Sequence, residues 1–147
     1  MKRLATAIWK GGPRAGEGTV STASGVFSNV LFTASTSHEE FPCTCPSEML
    51  AAAAGSCVAL MVAKELAEAK IRPDYVRSDT ELDIVETARS WKILGLKMHV
   101  RVGVGDVNET EFHKAIKRAK QGCAINNTLS CPVSVAVEVE VPEAMKV

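Results

Sequence analysis

Five cysteines are the residues of this chain best suited to chemistry: Cys43, Cys45, Cys57, Cys123 and Cys131. A thiolate is both a nucleophile and a soft-metal ligand, whereas an un-ionised thiol packs as a small hydrophobe. An odd number of cysteines does not suit a closed disulfide framework, and the sequence holds no CxxC pair. Cys57 stands in Ala-Ala-Gly-Ser-Cys57-Val-Ala-Leu, the middle of a helical stretch. It reads either as core packing or as a reactive thiol. A mid-helix sulfur gains nothing from a helix N-terminus, so the reactive reading requires a cation from elsewhere. Arg14, in the turn cluster Gly11-Gly-Pro-Arg-Ala-Gly16, is the cation of interest. Its planar, permanently charged fork can hold a thiolate and an oxygen of the reaction partner together, although a lone loop arginine is usually only exposed. Glu48 either complements the dipole of the long helix or orients an arginine. Cys123 follows Gly122 at a helix end, where it either covers that end or meets Cys57, the second requiring Cα atoms within about 7 Å. Cys131, at the start of the last strand, reads as structural. His38, Cys43 and Cys45 could ligate a soft metal, with an ordinary loop as the plainer reading.

The elements that must position these residues follow from periodicity and punctuation. Residues 4–9 and 19–22 read as strands around the glycine turn, and 26–33 as a third. Residues 35–46 are irregular. From Ser47 to about Lys70 runs the strongest helix, opened by Pro46 and built on Ala51, Ala52, Ala53, Ala54, Gly55 and Ser56. Being small or apolar all round, with charge only from Lys64 onward, it is expected to be buried. Strands are expected over 75–85 and 91–104, with Leu94, Leu96, Met98, Val100, Val102 and Val104 on one face of the second. Asn108-Glu-Thr-Glu111 matches a capping box opening a helix from Glu109 to about Gln121, ended by Gly122. A short turn of helix is expected over 124–129. Val133, Val135, Val137, Val139 and Val141 alternate in a final strand. Three strands, a long helix, two strands, a helix and a strand define an α+β class with a largely antiparallel sheet.

The 147 residues are the usual size of one domain, and no repeat or linker divides them. Lys+Arg and Asp+Glu balance at 17 each, so no global field draws nucleic acid or an anionic membrane. The densest basic run, Lys114-Ala-Ile-Lys117-Arg118-Ala-Lys120, reads as the solvated face of a helix. The N-terminal apolar stretch is too short for a secretory signal, and no window is expected to span a bilayer. The expected compartment is the cytoplasm, where paired cysteines are more often catalytic than structural.

With these residues in place, the sequence resembles the OsmC/Ohr family, the osmotically inducible and organic-hydroperoxide-resistance proteins. The segments that carry the resemblance are Gly18-Thr-Val-Ser-Thr-Ala-Ser-Gly25, Pro46-Ser-Glu-Met-Leu-Ala-Ala-Ala-Ala-Gly-Ser-Cys57 and Lys117-Arg-Ala-Lys-Gln-Gly-Cys123. The order of elements matches along nearly the whole chain. The resemblance implies a thiol peroxidase without metal or haem, with Cys57 as the peroxidatic cysteine, Cys123 as the resolving one and Arg14 as the activating arginine. It further implies organic hydroperoxides as preferred substrates over hydrogen peroxide, and an external dithiol reductant, lipoyl-linked in some relatives. The expected assembly is an intertwined homodimer with the Cys57 helix at its centre.

Two departures from the family pattern stand out. The carboxylate that holds the arginine normally lies ten residues before the cysteine, where this chain has Ser47. Glu48 is one position later, a rotation of about 100° on a helix. Glu39 and Glu40 are the other candidates for its role. The Cys-Pro-Val-Ser motif, which in many relatives begins at the resolving cysteine, begins here at Cys131, so Cys131 is the rival to Cys123. Two other readings accompany the peroxidase: a non-catalytic dimer whose pocket binds an apolar ligand, and a metal-binding protein using His38, Cys43 and Cys45.

Overall fold

The computed structural model describes residues 1–12, 16–33 and 43–140. The chain divides into two compact units, Met1–Leu50 and Ala51–Val147. Arg14, His38, Glu39, Glu40 and Val141 lie outside the described residues.

In the first unit, β1 (Ala5–Lys10), β2 (Glu17–Thr22) and β3 (Val30–Phe32) form an antiparallel sheet in the order β1-β2-β3. Trp9 and Phe32 cross it with ring centroids 5.7 Å apart. The third strand is shorter than the sequence predicts. Thr22 N–H donates to the Phe27 carbonyl, and Gly25 and Asn29 take φ of 76° and 51°. Left-handed residues cannot continue a ladder, so residues 23–29 form a turn and pairing resumes at Val30.

Helix α1 spans Pro46–Glu68. Its C-terminus is a Schellman cap: Ile71 N–H donates to Leu66 O and Lys70 N–H to Ala67 O, with Lys70 at φ 61°. Within this chain α1 buries one stripe only, Ala54, Val58, Val62, Glu65 and Leu66, while Ala52, Ala53, Ser56 and Leu60 are exposed. The expected burial of this helix is thus met on one side by the chain itself. Small residues permit close approach on every side, but one chain supplies a partner to one side. A correction concerns the membrane criterion: α1 is long and apolar enough, by length and composition, to cross a bilayer.

In the second unit, β4 (Tyr75–Glu86), β5 (Trp91–Gly103) and β6 (Val133–Glu140) form a sheet in the order β4-β5-β6. The β4/β5 pair is an antiparallel hairpin, whereas β5/β6 is parallel. A parallel neighbour needs a crossover, supplied by α2 (Glu109–Gly122) and α3 (Ala124–Thr128). Asn108 caps α2 as its sequence predicts, its side chain accepting from Glu111 N–H at 3.1 Å. The sheet face carries Leu96, Met98, Val100 and Val102, with Val104 just beyond the strand end. These pack with Ala54, Val58, Val62 and Leu66 of α1 and with Phe112, Ala115, Ile116, Ala119 and Cys123, in one core. Leu94 was expected on that face and is exposed instead. The register shifts at Asp83/Ile84, which pair with Gly95 and Ile93, leaving Leu94 unpaired. A one-residue bulge moves the alternation by one, so Ile93 joins the core side and Leu94 leaves it.

Candidate functional site: a thiol pair between two helices

Cys57 sits at the middle of the 23-residue α1, directly after its run of small residues, and Gly55 explains how that run reaches the sheet. A Cβ at Gly55 would lie 2.5 Å from Thr80 Oγ1 and 3.4 Å from Ser78 Oγ, so the glycine lets α1 settle onto β4 without displacing the Thr80 side chain. The crossover through α2 delivers Cys123 from the other direction. Cys123 is at once the residue that ends α2 and the one that precedes α3, and it is fully buried.

The two sulfurs meet. Cys123 Sγ–H donates to Cys57 Sγ at 3.0 Å, and both cysteines are free thiols. Burial pushes the Cys123 thiol above its usual value. The backbone N–H of Asn126 pulls the other way, and the hydrogen bond to Cys57 adds to the rise. Cys123 is thereby kept as a donor at neutral pH, and its hydrogen bond is strongest when the sulfur that accepts it is ionised. Cys57 is half-buried and Cys123 enclosed, so the first is the more accessible of the pair to a reagent and the second stands behind it. A dithiol at this separation has only to close by about 1 Å to reach the length of a disulfide.

The other sequence-predicted residues fall elsewhere. Glu48, exposed in the first turn of α1, accepts a hydrogen bond from Thr44 Oγ1 at 2.7 Å. Ser47 Oγ lies 3.1 Å from Cys45 Sγ. Cys131 borders two surface clefts, one with Lys120, Asn126 and Asn127 and the other with Trp91, Leu129 and Pro132. Among the described residues, no group of three or more His, Cys, Asp or Glu side chains is arranged to hold a metal.

Sequence reading missed the side chains that fasten the two helices beside the thiols. Glu65 is the one buried charged side chain among the described residues, and Arg118 Nε donates to its Oε2 at 2.7 Å. Arg118 belongs to the basic run expected to be only a solvated face, and that expectation is corrected for this residue. The available signal was a carboxylate inside an apolar helix, two four-residue steps after Cys57. Gly122 was expected to end α2, and the helix does stop there. It is the last helical residue, with Cys123 extended at φ −72°. A Cβ at Gly122 would lie 2.7 Å from Met61 Cε, so the glycine serves close helix contact.

The described residues of this α+β chain thus bring together one half-buried and one enclosed thiol, both free. The OsmC-like protein family matches residues 37–138, and the chain belongs to that family. The peroxiredoxin OsmC of Escherichia coli is 27% identical over 128 residues, 87% of this chain and 90% of that protein. Among solved structures, an OsmC-like protein from Vibrio cholerae superposes with a TM-score of 0.75 at 17% identity, over 94% of this chain and 99% of that one. The organic hydroperoxide resistance protein OhrB of Bacillus subtilis does so with a TM-score of 0.65 at 20% identity, over 93% and 98%. These similarities establish the α+β OsmC fold.

Proposed function

We propose that this chain is a cysteine-based peroxidase that reduces organic hydroperoxides, and hydrogen peroxide less well. The observation that carries the proposal is the contact of Cys57 and Cys123 sulfurs at 3.0 Å. In the first step the Cys57 thiolate attacks the distal oxygen of ROOH. The O–O bond breaks, a proton goes to the leaving alkoxide, and Cys57 sulfenic acid and ROH result. In the second, Cys123 attacks the sulfenic sulfur, forming the disulfide and releasing water, which protects Cys57 from further oxidation. An external dithiol, lipoyl-linked in this proposal, then exchanges with the bridge, becoming a disulfide itself and returning both thiols. The cycle uses no prosthetic group and suits a reducing cytoplasm.

Arg14 supplies the cation that a mid-helix thiolate needs, held by the carboxylate of Glu48, Glu39 or Glu40. The two units act as one OsmC-like domain in a homodimer. Support for the dimer is the exposed small-residue side of α1, where Leu60 is 71% exposed and neighbours Ala52, Ala53 and Ser56. An apolar pocket completed by the second copy would favour the alkyl part of an organic hydroperoxide.

The test is intact mass and peptide mapping after one equivalent of cumene hydroperoxide without reductant. Loss of two hydrogens mapped to Cys57 and Cys123 is the expected result. A bridge to Cys131 would replace the resolving residue. An unmodified Cys57 would leave a non-catalytic member of the family and end the peroxidase reading.

A further inference from the structure

We infer that Glu65 and Arg118 are positioning residues for the resolving step, because their ion pair sets the register of α2 on α1 that holds Cys123 against Cys57. The inference rests on the peroxidase reading above and concerns its second step.

Three contacts lie in sequence along the two helices. On α1, Cys57, Met61 and Glu65 are spaced by four residues and so share one stripe. Facing them in reverse order at the end of α2 are Cys123, Gly122 and Arg118. The pairs are Cys57 with Cys123 at 3.0 Å, Met61 against the bare Cα of Gly122, and Glu65 with Arg118 at 2.7 Å. The middle contact is steric and keeps the helices close. It gives no fixed register, since Met61 ends in a flexible thioether. The outer polar contact is directional and defines where α2 stands along α1.

Stability alone does not account for Glu65. Burying a carboxylate has a desolvation cost that an ion pair often only balances, and a well-packed apolar residue would hold the helices together equally well. Arg118 is about half-exposed while Glu65 is buried, so the carboxylate is the fixed end and the arginine reaches in to it. Lys64 Nζ, 4.0 Å from the other oxygen of Glu65, belongs to the same helix and cannot tie α2. What a directional pair supplies and an apolar contact does not is a single register. A slip of one helical turn is about 5.4 Å, far beyond the roughly 1 Å closure that disulfide formation needs here.

In the step concerned, Cys57 Sγ–OH and Cys123 Sγ–H give the Sγ–Sγ bond and water. Its rate depends on how long the two sulfurs stay in contact, whereas attack on the hydroperoxide by Cys57 in a chain without the Cys123 thiol does not. Glu65→Gln and Arg118→Lys separate the two. With Cys123→Ser as background, sulfenic acid formation at Cys57, trapped with dimedone, is expected at the unsubstituted rate in both. With Cys123 present, Glu65→Gln is expected to slow disulfide formation about tenfold and to raise the fraction of Cys57 sulfinic acid. The same loss of sulfur contact weakens the disulfide against a lipoate couple about tenfold, a potential less negative by about 30 mV. Arg118→Lys, which keeps a cation on the buried carboxylate, is expected to lie between these and the unsubstituted chain. It is the variant to read if Glu65→Gln does not fold. A natural chain that forms no disulfide overturns the peroxidase reading and this inference with it. A natural chain that forms it, with rate and potential unchanged in both variants despite a lower Tm, overturns the inference alone.

Discussion

At the scale of single residues, the two thiols are unequal by environment. Cys123 is enclosed and its ionisation is held back by burial, while Cys57 is reachable and accepts its hydrogen bond. Two tests follow from that inequality. Cys57→Ser is expected to abolish peroxide reduction, while Cys123→Ser allows one turnover and then sulfinic acid at Cys57, read by mass. The second concerns pH. Cys123 attacks as a thiolate, and its raised value places the growth of that form above the ordinary thiol range near 8.5. Single-turnover disulfide formation should therefore climb with pH, up to about tenfold per unit, and keep climbing past pH 8.5. A rate that is flat between pH 7 and 9 would show that burial does not control the resolving thiol. Arg14→Ala is expected to slow the first step and leave the second unchanged in stopped-flow traces.

At the scale of elements, two glycine positions and one lysine show what fixes α1. Gly55 lets the helix lie against Thr80, so Gly55→Ala sets a helix-propensity gain of about 1 kcal/mol against overpacking of about 1–3 kcal/mol. The expected outcome in urea unfolding is a net loss of up to about 2 kcal/mol, and an unchanged midpoint would mean that Thr80 simply rotates away. Lys70 occupies the left-handed position of the Schellman cap, where a side chain is strained. Lys70→Gly should raise stability by about 0.5–1 kcal/mol in the same measurement. Much of this scale was legible beforehand: the Asn108 cap, the ends of α2 to one residue and the alternation of β5 from Leu96 to Val102. What was not legible depended on a partner strand or helix. The bulge that expels Leu94 exists only against Asp83 and Ile84, and Gly122 reads as a stop signal until Met61 is seen across from it.

At the scale of the molecule, the exposed side of α1 is the feature that a single chain leaves unfinished. An apolar helix that buries one stripe and shows Leu60 to solvent fits the proposed homodimer. Leu60→Asp is expected to weaken self-association at least tenfold in sedimentation velocity with little change in the unfolding midpoint of the isolated chain. A natural chain that sediments as a monomer at micromolar concentration would remove the dimer from the proposal.

The sequence by itself determined the class of fold, the identity of the long helix and the family, because periodicity, caps and the motif around Cys57 are local properties. It also singled out Cys57 and Cys123, but it could not bring them together: residues 66 positions apart meet only if a crossover carries one to the other. That crossover makes β5 and β6 parallel, contrary to what an adjacent hairpin would give, and places the end of α2 on α1. The choice between Cys123 and Cys131 as the sulfur beside Cys57, the burial that holds Cys123 protonated, and the Glu65–Arg118 pair beside it are all decisions of tertiary structure. Each depends on distance and dielectric between elements, quantities that no local pattern of residue types encodes.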